Sequence, residues 1–325
     1  VGDDILARYK NWLISLAFIL VFLGLPAVVG DNAYLMLILS LSGIFVIASI
    51  GLDLLFGYSG QISIGQAAFY AVGAYTSAIL TTKVGVNVWV GMLAGGVLAT
   101  IFAALVALPI CKLVHMFLAL VTIGIGELTH QAIINLPDLT GSFTGVRAIP
   151  MPRIGGYVFN VSSYYYIVLA VVVLSLLVKQ RIVDSRIGRA FIAIRENTDA
   201  ANAMGINVTY YKVVAFACSA SFTGIAGALY AHYIGFISPE TFTLDQSVLF
   251  LTAVLCGGMG TFVGPIIGAV VITVINEAIQ VLGSYQMLVY GIFIVVAVIY
   301  VPEGLVGVVK MIQRHLLKVV NRVAD

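Results

Sequence analysis

Long apolar runs separated by short polar breaks dominate the chain. They fall at 12–30, 33–56, 62–82, 88–110, 116–136, 161–179, 211–236, 244–259, 262–282 and 284–301. Most approach the ~20 residues that a helix needs to cross a bilayer. They are too long and too continuous for the alternating strands of a membrane barrel, so helices are the expected element. The pattern predicts an all-α polytopic membrane protein with about ten transmembrane or re-entrant helices. The runs at 62–82 and 244–259 are the weak ones, the first polar and glycine-rich, the second short. The run at 12–30 is longer than a signal h-region and has no clear small-residue cleavage pattern, so it is read as a retained span.

Polarity is concentrated at one place inside this pattern. The stretch GYSGQISIGQAAFYAVGAY, from Gly57 to Tyr75, sits between two apolar runs. An unpaired backbone group in lipid costs several kcal/mol, so a broken helix belongs inside protein or beside water. Gly60 and Gly65 are expected to shape a break, and Gln61, Ser63 and Gln66 to supply donors and acceptors around it, lining a substrate pathway. A helix restarting near Ser63 would point its free amides into a cavity, a setting suited to a carboxylate. Gly73 and Ala74 would permit close helix packing. The alternative is that small and polar residues here only glue helices together. A similar stretch, Gly257-Gly258-Met259-Gly260 followed by Gly264 and Pro265, raises an internal repeat, because paired glycine-interrupted segments point to a transporter's pathway.

Composition agrees: of 325 residues, 61% are hydrophobic and 9% charged, with a mean hydropathy of +1.10, whereas a soluble domain is nearer a quarter charged. The formal net charge of +2 gives no reason to invoke nucleic acid. Cys111, Cys218 and Cys256 lie far apart without ligand spacing, so neither a metal site nor a disulfide framework is expected. Lys179, Arg181, Arg186, Arg189 and Arg195 crowd one loop, and Lys310, Arg314, Lys318 and Arg322 crowd the tail. The positive-inside rule puts both in the cytoplasm, with Arg8 and Lys10 placing the N-terminus there too. Pro137 to Asn160 becomes the main outside loop, and residues 1–325 read as one membrane domain.

Few ionisable groups lie within the runs. Glu127 and His130 are three apart, hence on one helix face. A charge at the bilayer centre costs ~2.5–3.5 kcal/mol even on the gentler scales, so Glu127 is a candidate pathway residue, with a structural pair as the alternative. Asp53 and Glu277 are candidate structural anchors, while His115 and His232 are expected to be satisfied locally. In the cytoplasmic loop at about 180–210, Asn197 or Thr198 can cap a short helix, Asp199 favours its first turn, and Gly205 suits its C′ position. There is no GxxxxGK[ST] loop to hold ATP, and no catalytic or cofactor motif. The chain reads as a conduit rather than an enzyme.

Three ordered stretches carry a resemblance: GYSGQISIGQAAFYAVGAYTSAIL, SRIGRAFIAIRENTDAANAMGINVTYYK with the helix after it, and LTAVLCGGMGTFVGPIIGAVV followed by YVPEGLVG. Together, from about Ile50 to Gly307, they resemble the permease subunits of branched-chain amino acid ABC importers, the M-type permease in particular. The resemblance implies a bacterial inner-membrane protein that pairs with a homologous H-type permease, two cytoplasmic ATP-binding subunits and a periplasmic substrate-binding protein. It implies that the segment around Glu196 to Gly205 is the coupling helix, with Arg189, Arg195, Glu196, Asn197, Ala200 and Gly205 meeting the ATPase. Asp53 and the His115-Met116-Phe117 sequence depart from the family's usual residues. Urea and short-amide permeases share these motifs and are the alternative cargo class. An ion-gradient-driven secondary transporter and a membrane-embedded enzyme are the competing classes outside the family.

Overall fold

The computed structural model of the protein describes Gly24 and residues 32–111, 115–154, 157–280, 283–300 and 304–307. The expected span at 12–30 and the basic tail lie outside the described residues. Asn32 caps α1 (Ala33–Asp53), its side chain accepting from the Tyr34 and Leu35 amides, and a π-helical turn over Leu54–Tyr58 extends it. After an extended segment come α2 (Gln66–Thr82), α3 (Val88–Ile110) and α4 (His115–Ile134). A loop with two short antiparallel strands, β1 (Arg153–Ile154) and β2 (Tyr157–Val158), leads to α5 (Val161–Asp184). Ser185 caps α6 (Arg186–Glu196), and Asn197 caps α7 (Thr198–Ala203). Then follow α8 (Val208–Ile234), α9 (Leu244–Gly257), α10 (Gly264–Gln280) and α11 (Gln286–Tyr300).

Nine of the ten expected segments therefore coincide with helices. Among the described residues, five helices are long and apolar enough to cross a membrane: α1 with its π turn, α3, α4, α5 and α8. With 14 and 17 residues, α9 and α10 span roughly 21 and 26 Å at 1.5 Å per residue, short of a ~30 Å hydrocarbon core. The glycine-rich 257–263 connection shortens both.

Small residues decide how the helices meet. Helix α8 packs on α1, α2 and α3, and a Cβ at Gly73 would run into the Gly224 backbone, the close approach expected of that glycine. From Ile44 to Leu55, α1 is almost wholly buried. At the far end Phe45, Tyr70, Phe242 and Phe250 form an aromatic cluster with centroids 5.1–5.6 Å apart.

Contacts sort the connections onto two ends. Residues 57–65, Lys179, the α6–α7 segment and 258–263 meet at one. At the other, the Val146 and Ile237 backbones bridge, the Lys83 ammonium donates to the Asp138 carbonyl, and His232 Nδ1 lies 2.7 Å from the Pro150 carbonyl. The other His232 nitrogen is 2.8 Å from Ser77 Oγ, the local satisfaction expected of that histidine.

Candidate functional site

The break predicted at Gly57 to Gly65 is present, and the way it forms follows from the residues. The π turn ends at Tyr58, Ser59 Oγ folds back onto the Leu55 carbonyl at 2.7 Å, and Gly60 takes φ +69°. That left-handed conformation is one that glycine adopts without steric cost. The chain then runs extended to Gly65, where α2 begins, later than the restart expected near Ser63.

Gln61, Ser63 and Gln66 are brought together in a buried seam, each no more than 1% exposed. Gln61 Nε2 donates to Ser59 Oγ at 2.8 Å and to the Lys212 carbonyl at 3.5 Å. Gln66 Nε2 donates to Ser219 Oγ at 2.7 Å and Thr223 Oγ1 at 2.6 Å. Their carbonyl oxygens, Gln61 Oε1 and Gln66 Oε1, have no hydrogen-bond partner among the described residues. Such buried acceptors are uncommon in folded proteins. Gly65 packs against the Thr122 carbonyl.

The expectation of free amides at the restart is corrected. Ala67 N donates to Ser247 Oγ at 2.9 Å, Ala68 N to the Gly65 carbonyl, and Ile64 N to Thr122 Oγ1 at 3.1 Å. Hydroxyls on α9 and α4 take the donors that a bare helix start would have offered to a carboxylate.

Glu127 lies elsewhere. Its side chain is 61% exposed on α4, bonded by Gln131 at 2.9 Å and 4.0 Å from His130 Nδ1. Glu127, Gln131 and Asn135 follow at four-residue spacing and are all exposed, a polar stripe down one face. Only 17% of this span's core is buried, the least of the five, against 67% for α1. An uncovered carboxylate on a membrane helix needs protein or water beside it.

The second glycine stretch packs directly on the first. Asp53, fully buried at the end of α1, pairs with fully buried Lys179 on α5 at 2.8 Å. Asp53 Oδ1 accepts from the Gly260 amide at 2.8 Å, and Lys179 Nζ also donates to the Thr261 carbonyl at 2.9 Å. Asp53 thus ties the end of α1 to α5 and to the 258–263 connection. The sequence places Lys179 among the loop charges, and the structure buries it inside the protein instead. Its signal was legible: opposite charges standing alone within apolar runs pair with each other. Ser219 and Thr223 were also missed, although their i, i+4 spacing marks one face of α8.

At the same end the short helix expected in the 180–210 loop is present and capped. Asn197 Oδ1 accepts from the Asp199 and Ala200 amides, both at 2.9 Å, and Gly205 follows the helix at φ +82°. Arg189, Glu196, Asn197, Ala200 and Gly205 are exposed. Arg195 is exposed as well, and its guanidinium also donates to the Gly57 carbonyl that the break leaves without a helical partner. Thr198, Asp199, Asn202 and Gly205 line an open polar cleft of about 500 Å³ beside the start of α8. Among the described residues no group of three His, Cys, Asp or Glu side chains could hold a metal ion.

Known proteins match this architecture in sequence. Residues 34–298 match the family described as the permease component of branched-chain amino acid transport systems. The chain is 32% identical to the high-affinity branched-chain amino acid transport system permease protein LivM of Salmonella typhimurium, over 93% of this chain and 76% of that protein. The Escherichia coli LivM is 32% identical over 84% of this chain and 70% of its own length. The LivH permease of Salmonella typhimurium is 23% identical over 82% of this chain and 92% of that protein. No solved structure matches. The chain belongs to the family of branched-chain amino acid transport system permease components.

Proposed function

We propose that this chain is the permease subunit of an ATP-driven importer that carries branched-chain amino acids into the cytoplasm by alternating access. The observation that carries the reading is the family match over residues 34–298. The similarity to both LivM and LivH supports pairing with a homologous permease, and the exposed Glu127–Gln131 stripe on the thinly packed α4 is a face that such a subunit would cover. Two ATP-binding subunits and a substrate-binding protein complete the complex. Alternating access requires the ATPases to bind the two states of the permease differently.

In this reading Gln61, Ser63 and Gln66, with Gly60 and Gly65 shaping the break, line the pathway near its inner end, and Glu127 lies along it between the permeases. The unmet oxygens of Gln61 and Gln66 favour this over helix glue, since a buried acceptor is costly unless water or a substrate's ammonium group reaches it. The segment bearing Arg189, Arg195, Glu196, Asn197, Ala200 and Gly205 meets the ATPase, with Arg195 at its inner edge. The multi-pass protein sits in the inner membrane with both termini cytoplasmic.

Labelled leucine uptake into vesicles holding the full complex tests the reading. ATP-dependent uptake that valine blocks and urea or acetamide leaves alone is the expected result. Blockade by urea would change the cargo, and uptake driven by an ion gradient without ATP would remove the importer reading.

A further inference from the structure

Arg195 is threaded between the two glycine stretches. A Cβ at Gly60 would sit 3.1–3.4 Å from Arg195 Cγ, Cα and Cβ, and one at Gly260, where φ is +64°, would lie 2.9 Å from its Nη1. The guanidinium itself holds the Gly57 carbonyl. Behind it the Asp53–Lys179 pair ties together α1, α5 and the 258–263 connection, with Gly260 N and Thr261 O completing the cluster. The ammonium also faces the rings of Tyr58 and Phe262 at 5.5 and 5.9 Å. On the other side of Arg195 only Glu196 separates it from Asn197, the cap of α7. Arg195 lies in the last turn of α6, separated by one residue from the α7 cap, and Phe191 and Ile194 are buried on the inner face of α6.

We propose that Arg195, backed by the buried Asp53–Lys179 pair, is the link that carries displacement of α6 and α7 to the broken helix at Gly57 to Gly65. Arg195, Asp53 and Lys179 are positioning residues in this account and do not touch the cargo. The inference rests on the importer reading, and it adds a rigid connection between the cytoplasmic helices and the polar seam. A charged donor on a helix-end carbonyl makes a strong, directional contact. The ion pair keeps both glycine stretches in register while that contact pulls on them.

The test measures leucine uptake and ATP hydrolysis together in proteoliposomes holding the full complex. Arg195→Ala is expected to lower leucine carried per ATP about tenfold, and Arg195→Lys, which keeps one donor, to restore part of it. An unchanged ratio, or uptake and hydrolysis falling in proportion, would overturn the link, since a merely structural loss removes active complexes without altering the ratio. A second pair, Gly60→Cys with Arg195→Cys, replaces the contact by a disulfide. Its oxidation should raise the ratio to that of Gly60→Cys alone, and a ratio still below it after complete cross-linking would overturn the proposal. Cross-linking should also proceed at equal rates with and without ATP, because the two residues move as one, and a tenfold slower rate in either state would overturn it. That rate does not depend on the cargo. A wild-type complex inert toward leucine would therefore count against the importer reading, with the link judged separately on the cross-linking rate.

Discussion

The ammonium of Lys179 and the carboxylate of Asp53 are each 0% exposed and 2.8 Å apart. Burying two charges is costly, and their mutual attraction offsets that cost only when the remaining hydrogen-bonding sites are also filled. Here Gly260 N and Thr261 O fill them. Lys179→Met should lower stability by about 3–5 kcal/mol, because it leaves a buried carboxylate uncompensated. Asp53→Leu combined with Lys179→Met should recover all but about 1–3 kcal/mol, the cost of leaving the Gly260 amide and the Thr261 carbonyl without these partners. Unfolding of the detergent-solubilised protein followed by tryptophan fluorescence measures both. A double variant no more stable than the single one would mean that the pair's worth lies in packing rather than charge.

At the scale of elements, backbone proximity and caps matter more than propensity. The would-be Cβ of Gly73 overlaps the Gly224 backbone, whereas that of Gly124 meets nothing within 4 Å. Gly73→Ala should cost about 1–3 kcal/mol by forcing α2 away from α8, and Gly124→Ala should stay within about 0.5 kcal/mol. Comparing the two melting temperatures isolates packing, since the chemical change is the same. Helix α7 has six residues and depends on its cap. Removing the Asn197 side chain should loosen it by about 0.5–2 kcal/mol, seen as faster hydrogen exchange at the Asp199 and Ala200 amides with the exchange of α8 unaltered.

For the whole molecule, the two ends defined by the contacts should lie on opposite sides of the membrane. A membrane-impermeant maleimide should label Asn202→Cys from the cytoplasmic face and Phe143→Cys from the outer face. The native Cys111 and Cys256 are buried and Cys218 is partly so, which keeps the background low. Labelling of both positions from one side would refute the orientation drawn from the basic loop.

Hydropathy alone located nearly every helix, because a bilayer forces each apolar run to satisfy its own backbone. Local chemistry located the break and the capped α7, because Gly60, Asn197 and Gly205 act through their immediate neighbours in the chain. The site was legible only in part. Gln61, Ser63 and Gln66 were found from their density, but their partners Ser59, Ser219 and Thr223 were not, and the amides expected to be free are taken by Ser247 and Thr122 from distant helices. Lys179 and Asp53 are 126 residues apart, and Arg195 reaches Gly57 across 138. What the sequence by itself determined was the set of helices, the place of the interruption and the charges too costly to leave in lipid. Only the tertiary structure decided which of those charges met, which amides remained to be satisfied, and that α6 is bonded to the break. Those contacts depend on the angles and distances between helices, and close packing of the whole bundle fixes these where no local rule along the chain can.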